Sequence, residues 1–554
     1  MRFSLPRQYP SEKYLICFIL FFAFLVRFNG LSHGLPYLYN FDEACFVNPA
    51  IYTLFTGDFN PHWHGHPGTF VIYLLVILFT IILRICFFYY FLSGQVSHTA
   101  EFVHLFCTDS MLHRTLLYFS GRLLMVVFAV VTVYWVYRIG RKIFNPAVGL
   151  LAAFCLSASP LHIYHSRLIR TDIAATMLIV GSFYYLLLYI EQKSHSFFLV
   201  KSALLAGFSI AAKYPSGMVV LPIVVAGGFL DRRKRNLFSL KYLLDCIGLK
   251  TNLGRAMALV FLGFFVFAPY VILDFKQALP DIMREAQQEH LGHERLPGWQ
   301  QHIWYIKGVL VEGIGNMFFA LFAVYGLILT VWNKSFKKYL FLIFPVSYYI
   351  FIVGFGPLRW SRWLIPVLPF EAILFGAGFR GFYEYLVRYS RLQGYKTKVM
   401  MVLTAIFVFC ALSVTIKDIQ RGIFLDRPDT RILAKVWVEK NLPPGSVIAY
   451  EHYAPLLHVD PANKFMLINV NWERIVSRPL FFYREKGVDY IIITDFFKKR
   501  YFAEPQKYQK EIERYRELAR EAELIKVFTN QHNPGPEIEI YRVNADRGIT
   551  EGGQ

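Results

Sequence analysis

Residues 69–92 read TFVIYLLVILFTIILRICFFYYFL, an apolar run broken by a single charge, Arg84. Such a run is long enough to cross a bilayer core of about 30 Å as a helix. No other conformation suits it there, because hydrocarbon cannot satisfy open backbone groups. Similar segments recur near 14–31, 115–138, 147–162, 173–190, 197–212, 215–230, 254–273, 306–332, 339–356, 363–379 and 399–416. The 554-residue chain is 55% hydrophobic, 18% aromatic and only 17% charged, which excludes an ordinary soluble domain and identifies a polytopic membrane protein.

Whether 69–92 itself crosses decides the topology. Lys and Arg in short loops mark the cytoplasmic face. RRKR at 232–235, NKSFKK at 333–338 and the basic 380–398 loop are separated by pairs of apolar segments, so they share one face. Counting back, Arg141 and Lys142 fall inside, while 161–172, 274–304 and 357–361 fall outside. Arg2, Arg7 and Lys13 put the N-terminus inside, ahead of a first helix that is retained rather than cleaved as a signal sequence. A crossing by 69–92 would then send Arg141 and Lys142 to the wrong face. Arg84 mid-membrane would cost about 2.5–3.5 kcal/mol, and the aromatic end FFYYF suits an interface. The pattern predicts an interfacial or re-entrant helix over 69–92, about eleven crossings, an outside C-terminus, and Asp42 and Asp172 on one outer face.

The net charge of +20 resides in the loops, with neither a basic tail nor a nucleic-acid motif, so no nucleic-acid partner is expected. The seven cysteines show no metal spacing. Of these, Cys45 and Cys107 alone could face an oxidising side together, and sequence supplies no geometry for a bond between them. Composition changes after 416. WVEKNLPPGSVIAYEHY reads as helix, Pro-Gly turn and strand; VDYIIIT, LIKVFT and EIEIYRV read as strands; 505–523 reads as a charged amphipathic helix. The expected organisation is an all-α membrane domain over 1–416, with a first outer loop at 32–113, and a soluble α/β domain over 417–554. The second domain shows no catalytic motif and is expected to be accessory or acceptor-binding.

The outer loops gather acids and bases. The first offers Asp42, Glu43, Asp58, His62, His64 and His66; the second offers His165, Arg167, Arg170 and Asp172. The AAKYPSG corner offers Lys213 and Tyr214, the 274–304 loop offers His290 and His293 among others, and GFGPLRWSRW offers Arg359 and Arg362. Any one of these has a plain reading as a helix cap or a snorkelling charge; the collection on one face does not. HWHGHPG permits a divalent metal on His62, His64 and His66, though without a firm carboxylate partner, and no cofactor is expected. His66-Pro67 alternatively opens a helix, where free N–H groups favour an anion.

FDEACFVNPAIYTLFTGDFNP…HPGTFVIY resembles the first outer loop of the GT-C glycosyltransferases, in particular the branch of dolichyl-phosphate-mannose–protein mannosyltransferases and aminoarabinose transferases. GRLLMVVFAVVTVYWVYRIGRKIF, SRLIRTD, AAKYPSG and RWLIPVLPF are similar to later landmarks of that family, and DTRILAKVWVEKNLPPGSVI resembles the start of its outer domain. The resemblance implies a polyprenyl-phosphate sugar donor, catalysis on the non-cytoplasmic face, a catalytic Asp42, a donor-phosphate contact at His66 and a second-loop acid at Asp172. The sequence departs at Gly68, where a second Pro often stands, and at Cys45, where the aminoarabinose branch has a base.

The residue types suit that chemistry. Displacing a lipid phosphate from a sugar needs a base for the acceptor proton, a role for Asp42 with Glu43 orienting it or the acceptor. The departing phosphate needs positive charge, for which His66, Lys213, Arg359 and Arg362 are candidates. Arg167, Arg170, Tyr214, His290 and His293 are candidate substrate contacts. The expectation is an inverting glycosyltransferase that transfers a mannose-like hexose or a pentose to a lipid, glycan or protein acceptor, in a bacterial plasma (inner) membrane. The alternative is a polytopic lipid or sugar transporter or flippase, which would need ionisable residues near the membrane midplane.

Overall fold

The structure is a computed structural model that describes residues 10–37, 39–65, 68–108, 110–192, 196–231, 249–287, 291–389, 395–457, 464–470 and 474–543. The chain divides into two compact units. One comprises Met1–Leu31, Asn40–Glu289 and Arg295–Ile419; the other comprises Ser32–Tyr39, His290–Glu294 and Gln420–Gln554.

The first unit is helical: α1 (Pro10–Phe28), α2 (Phe41–Thr56), α3 (Thr69–Leu92), α4 (Thr99–Thr108), α5 (Ser110–Ile143), α6 (Pro146–Ser157), α7 (Pro160–Ser166), α8 (Thr171–Glu191), α9 (Ser196–Ala212), α10 (Val220–Asp231), α11 (Asn252–Phe267), α12 (Tyr270–Leu273), α13 (Phe275–Ala286), α14 (Trp299–Tyr305), α15 (Met317–Trp332), α16 (Phe336–Phe355), α17 (Leu368–Tyr389) and α18 (Lys396–Leu425). Among the described residues six helices are long and apolar enough to cross a membrane, or seven if the pair α6–α7, bent by 60°, is one broken span. Four further apolar helices have 10–17 residues and rise at most ~26 Å, less than the hydrocarbon core. The eleven crossings expected from sequence draw on these short helices; length and composition alone support six or seven.

Pro160 explains the bend. It lacks the N–H that would continue α6, and it opens α7 behind the N-cap Ser159, whose side chain accepts from the His162 N–H. The break deprives the last carbonyls of α6 of their i+4 donors, leaving Leu156 O only a turn bond from the Ser159 N–H at 3.3 Å. Arg27 supplies them from α1, through Nη1 to Ser157 O at 3.0 Å and Nη2 to Leu156 O at 3.1 Å. Close approach elsewhere depends on small residues: α15 and α17 meet at Gly326 and Gly378, where a Cβ on Gly378 would lie 1.9 Å from the Phe322 carbonyl oxygen.

α1 and α5 run antiparallel. Arg141 Nε near the end of α5 lies 3.1 Å from Glu12 Oε1 in the first turn of α1. At the opposite end, Arg122 Nη1 donates to Leu31 O at 2.8 Å, just past α1. Antiparallel neighbours share their ends, so the chain between them starts and finishes at the same end of the pair. α3 is long enough to cross, yet Phe70 at its start packs on Phe208 and Phe267 toward the C-terminal ends of α9 and α11. Phe87 near its other end packs on Phe102 of α4, which leads into α5. Both ends of α3 thus pack against other helices of this unit.

The second unit carries a five-stranded sheet in the order β2-β1-β3-β5-β4, with β1 (Val447–Tyr450), β2 (Met466–Asn469), β3 (Tyr490–Thr494), β4 (Glu523–Phe528) and β5 (Ile538–Arg542). β1 pairs in parallel with β2 and β3; β5 is antiparallel to β3 and β4. Ala449, Ile491 and Ile493 face one core with Tyr515 and Leu518, while Ile448 and Ile492 face another with Ala434 and Val438. This two-sided burial is why VDYIIIT reads as an unbroken apolar run.

Glu43, beside Asp42 in the first turn of α2, is wholly buried. Arg122 of α5 donates to it from Nε at 2.8 Å and Nη2 at 2.7 Å, and the backbone N–H of Ile169 donates at 3.0 Å. Successive helical residues point about 100° apart, so packing one inward leaves the other open. The sequence reading has Glu43 orient Asp42 or the acceptor; its carboxylate is committed to joining three segments of the bundle. Arg167, a candidate substrate contact, is buried, and its Nη2 donates to Asp418 Oδ2 and Val26 O, both at 2.7 Å. Removing one member of a buried pair leaves the other charge uncompensated, at about 3–5 kcal/mol. Glu43→Gln should therefore lower unfolding stability in detergent by that order, read by chemical denaturation, whereas Asp42→Asn should leave it nearly unchanged.

Candidate active site

Asp42 lies at the N-terminus of α2, behind the extended N-cap Asn40, and Asp172 lies at the N-terminus of α8. Both positions favour a negative charge, because free N–H groups and the helix dipole point there. The Asp42 side chain is 45% exposed. Its Oδ2 accepts from Arg362 Nη1 at 2.5 Å and pairs with Arg170 Nη2 at 2.8 Å. Among the described residues nothing bonds Oδ1. Partial burial works against ionisation of Asp42, but Arg170 and Arg362 outweigh it and hold the carboxyl below its ordinary value.

Arg170 is oriented by two further contacts, to Asn40 Oδ1 at 3.2 Å and to His165 Nδ1 at 3.4 Å. Arg362 stacks over the Trp360 ring at 4.7 Å, which fixes its plane while leaving its other donors unbonded among the described residues. Lys213 Nζ lies 2.5 Å from Asp172 Oδ1, both largely buried. Arg362 is within electrostatic reach of both carboxylates, so the two pairs form one cluster. Tyr214 Oη donates to His64 O at 2.9 Å and ties the first loop to this corner. The site is thus two carboxylates and three cations, nearly balanced, with one open oxygen.

The other candidates fall elsewhere. His66 and His290 lie outside the described residues. His293 belongs to the second unit. Arg359 is half-buried in the stretch before Arg362. His62 bonds Asp58 at 2.7 Å on an exposed turn. His64 is turned inward, its backbone N–H on Asp281 at 3.1 Å and its Nε2 3.7 Å from Asp274. These two imidazoles therefore serve different partners, and among the described residues no three His, Cys, Asp or Glu side chains gather as metal ligands. Among the described residues Cys45 is in no disulfide.

The sequence reading missed Asn40, Trp360 and Glu285. Asn40 carried a signal, since Asn before an apolar periodic run is an N-cap. Glu285, on the amphipathic α13, comes within electrostatic reach of Arg362; burial raises its carboxyl, and Arg362 draws it back. Nothing local to its sequence pairs it with a residue so distant in the chain.

The sequence model of the family described as dolichyl-phosphate-mannose-protein mannosyltransferase matches residues 114–250. No curated protein matches the chain in sequence. Among solved structures, apo ArnT from Cupriavidus metallidurans is similar with a TM-score of 0.52 at 12% identity, covering 96% of this chain and 98% of that one. ArnT from the same organism bound to undecaprenyl phosphate gives 0.50 at 11% identity with the same coverage. The oligosaccharyltransferase AglB from Archaeoglobus fulgidus, in complex with an inhibitory peptide and a dolichol-phosphate, aligns at 0.49 and 12% identity over 98% of this chain and 76% of that one. The resemblance to GT-C glycosyltransferases read from the first loop is found again in these comparisons: the chain has the GT-C fold of a multi-pass membrane protein and, over 114–250, the sequence pattern of the protein-mannosyltransferase family.

Proposed function

We propose that this protein is an inverting glycosyltransferase that moves a sugar from a polyprenyl phosphate to an acceptor on the non-cytoplasmic face of a bacterial inner membrane. The observation that carries the reading is Asp42, a half-exposed carboxylate with Oδ2 held by two arginines and Oδ1 unbonded among the described residues. Undecaprenyl phosphate bound to ArnT, which shares the fold, supports the donor class.

In the reaction, the acceptor oxygen attacks the anomeric carbon as the bond from that carbon to the phosphate oxygen breaks. The acceptor proton passes to Asp42 Oδ1. The leaving phosphate keeps the bonding electron pair, and Arg362, Arg170 and Lys213 neutralise it. A single displacement inverts the anomeric centre. Asp172, held by Lys213, positions that cation rather than acting as a nucleophile.

The same arginines that bind phosphate suppress Asp42 as a base when the site is empty. When a donor phosphate engages Arg362 and Arg170, their hold on Oδ2 weakens and the basicity of Asp42 rises. Proton abstraction is thereby tied to donor occupancy. The donor sugar is a mannose-like hexose or a pentose, and the acceptor is a lipid, glycan or protein.

Asp42→Asn should retain donor binding and lose about 10²–10⁴ in turnover, measured on one purified preparation in nanodiscs; near-normal turnover transfers the base role to Glu285 or Asp172. Arg362→Met and Lys213→Met should each weaken donor binding about tenfold or more, since charge-assisted contacts contribute about 1.5–3 kcal/mol. An unchanged donor dissociation constant in both variants places the phosphate elsewhere. For sidedness, single cysteines near residues 60 and 100, in a background lacking native Cys, should both label from outside. Labelling from opposite sides means that α3 crosses.

A further inference from the structure

The second unit holds charges that this reaction does not use. β1, β2 and β3 are parallel in the order β2-β1-β3, so the chain goes from β1 to its neighbour on one side and returns to β3 on the other, which makes the carboxyl ends of β1 and β3 a topological switch point. In open α/β sheets ligands bind at such a switch point. Glu451 follows β1 and is buried against the end of β3: Oε2 accepts from Thr494 N at 3.1 Å and from Thr494 Oγ1 at 3.3 Å, and Oε1 accepts from Tyr515 Oη at 3.3 Å. Burial pushes its carboxyl up to about 7, so near neutral pH it offers only a partial negative charge.

Arg474, a few residues past β2, and Arg500, in the helix after β3, lie close enough to repel each other. Arg474 is over the rings of Phe497 at 5.0 Å and Tyr501 at 5.3 Å. It bonds the Tyr501 hydroxyl, and its Nε is buried with no hydrogen-bond partner. Its backbone has φ 64° and ψ 147°, a strained conformation for a residue with a Cβ. Arg500 is over the Phe496 ring at 4.1 Å, with one long bond to Leu291 O at 3.4 Å. Among the described residues neither arginine has a carboxylate partner. The contrast is local: Lys498 and Lys499, in the same helix as Arg500, pair with Glu539 at 2.7 Å and Asp495 at 2.5 Å.

The geometry points to an oxyanion-binding site formed by Arg474 and Arg500 at the β1/β3 switch point, taking a phosphate or carboxylate group. Two guanidinium planes fixed on aromatic faces are pre-organised forks for such a group. A bound anion relieves both their mutual repulsion and the orphaned Nε. The anion comes either from a lipid headgroup or from a soluble phosphorylated molecule.

The test titrates inorganic phosphate by calorimetry into the full-length protein in phosphatidylcholine nanodiscs. Wild type should show two classes of site. Arg474→Gln and Arg500→Gln should each weaken one class at least tenfold, Arg500→Lys should weaken it less than Arg500→Gln because it keeps the charge but loses the fork, and Arg362→Met should affect only the other class. The fate of the Arg362-dependent class judges the proposed reaction independently. Phosphate binding unchanged in both glutamine variants, or a single class in wild type that Arg362→Met abolishes, overturns the site. Arg500→Gln carries the test should Arg474→Gln fail to fold. Repetition in phosphatidylglycerol nanodiscs separates the sources: competition with this class identifies a lipid headgroup, and its absence identifies a soluble anion.

Discussion

The carboxylate of Glu43 is the joint on which the first unit depends. It receives two donors from Arg122 of α5 and the backbone N–H of Ile169, while the same Arg122 reaches the carbonyl of Leu31 beyond α1. The neighbours of these joined residues are the site itself: Asp42 precedes Glu43, and Arg170 follows Ile169. One buried ion pair, with its oxygens and nitrogens largely bonded, thus sets the 2.8 Å contact between Asp42 and Arg170. A buried charge pair contributes little net stability over an apolar one. Its value here is positional, because no apolar contact would fix two loops with this directionality.

The broken pair α6–α7 serves the same end. A straight helix would carry residues 160–170 onward along the bundle. Pro160 turns them, and the carbonyls so exposed are capped by Arg27 from α1. Irregular backbone inside a membrane protein survives only where protein groups replace the missing donors. The turn that follows carries His165 and Arg170 toward Asp42, so a local defect in a helix becomes part of the site.

At the site, carboxylates and cations nearly cancel, which keeps an apolar surrounding tolerant of so many charges. On the proposed function that balance also gives an order to events. The cations available to a donor phosphate are the ones that hold Asp42 as a weak base, so binding the donor and activating the base are one exchange of partners.

The sequence by itself determined the membrane class, the loops as the place where acids and bases collect, the change of composition after 416, and Asp42, Asp172, Lys213, Arg170 and Arg362 as candidates. It could do so because hydrocarbon admits only long apolar helices and leaves charged residues to the segments between them. Only the tertiary structure decided which of two adjacent acids was open: Asp42 and Glu43 are equivalent as sequence, and the helix turns one toward Arg122 and the other toward Arg362. The same holds for Arg167 and Arg170, three residues apart, one committed to Asp418 and the other to Asp42. Glu285 near Arg362, and Arg474 beside Arg500, were likewise invisible, because partners far apart in the chain leave no local periodicity. A side chain's charge is a property of the sequence; whether that charge is satisfied inside the fold or left for a ligand is a property of three-dimensional packing alone.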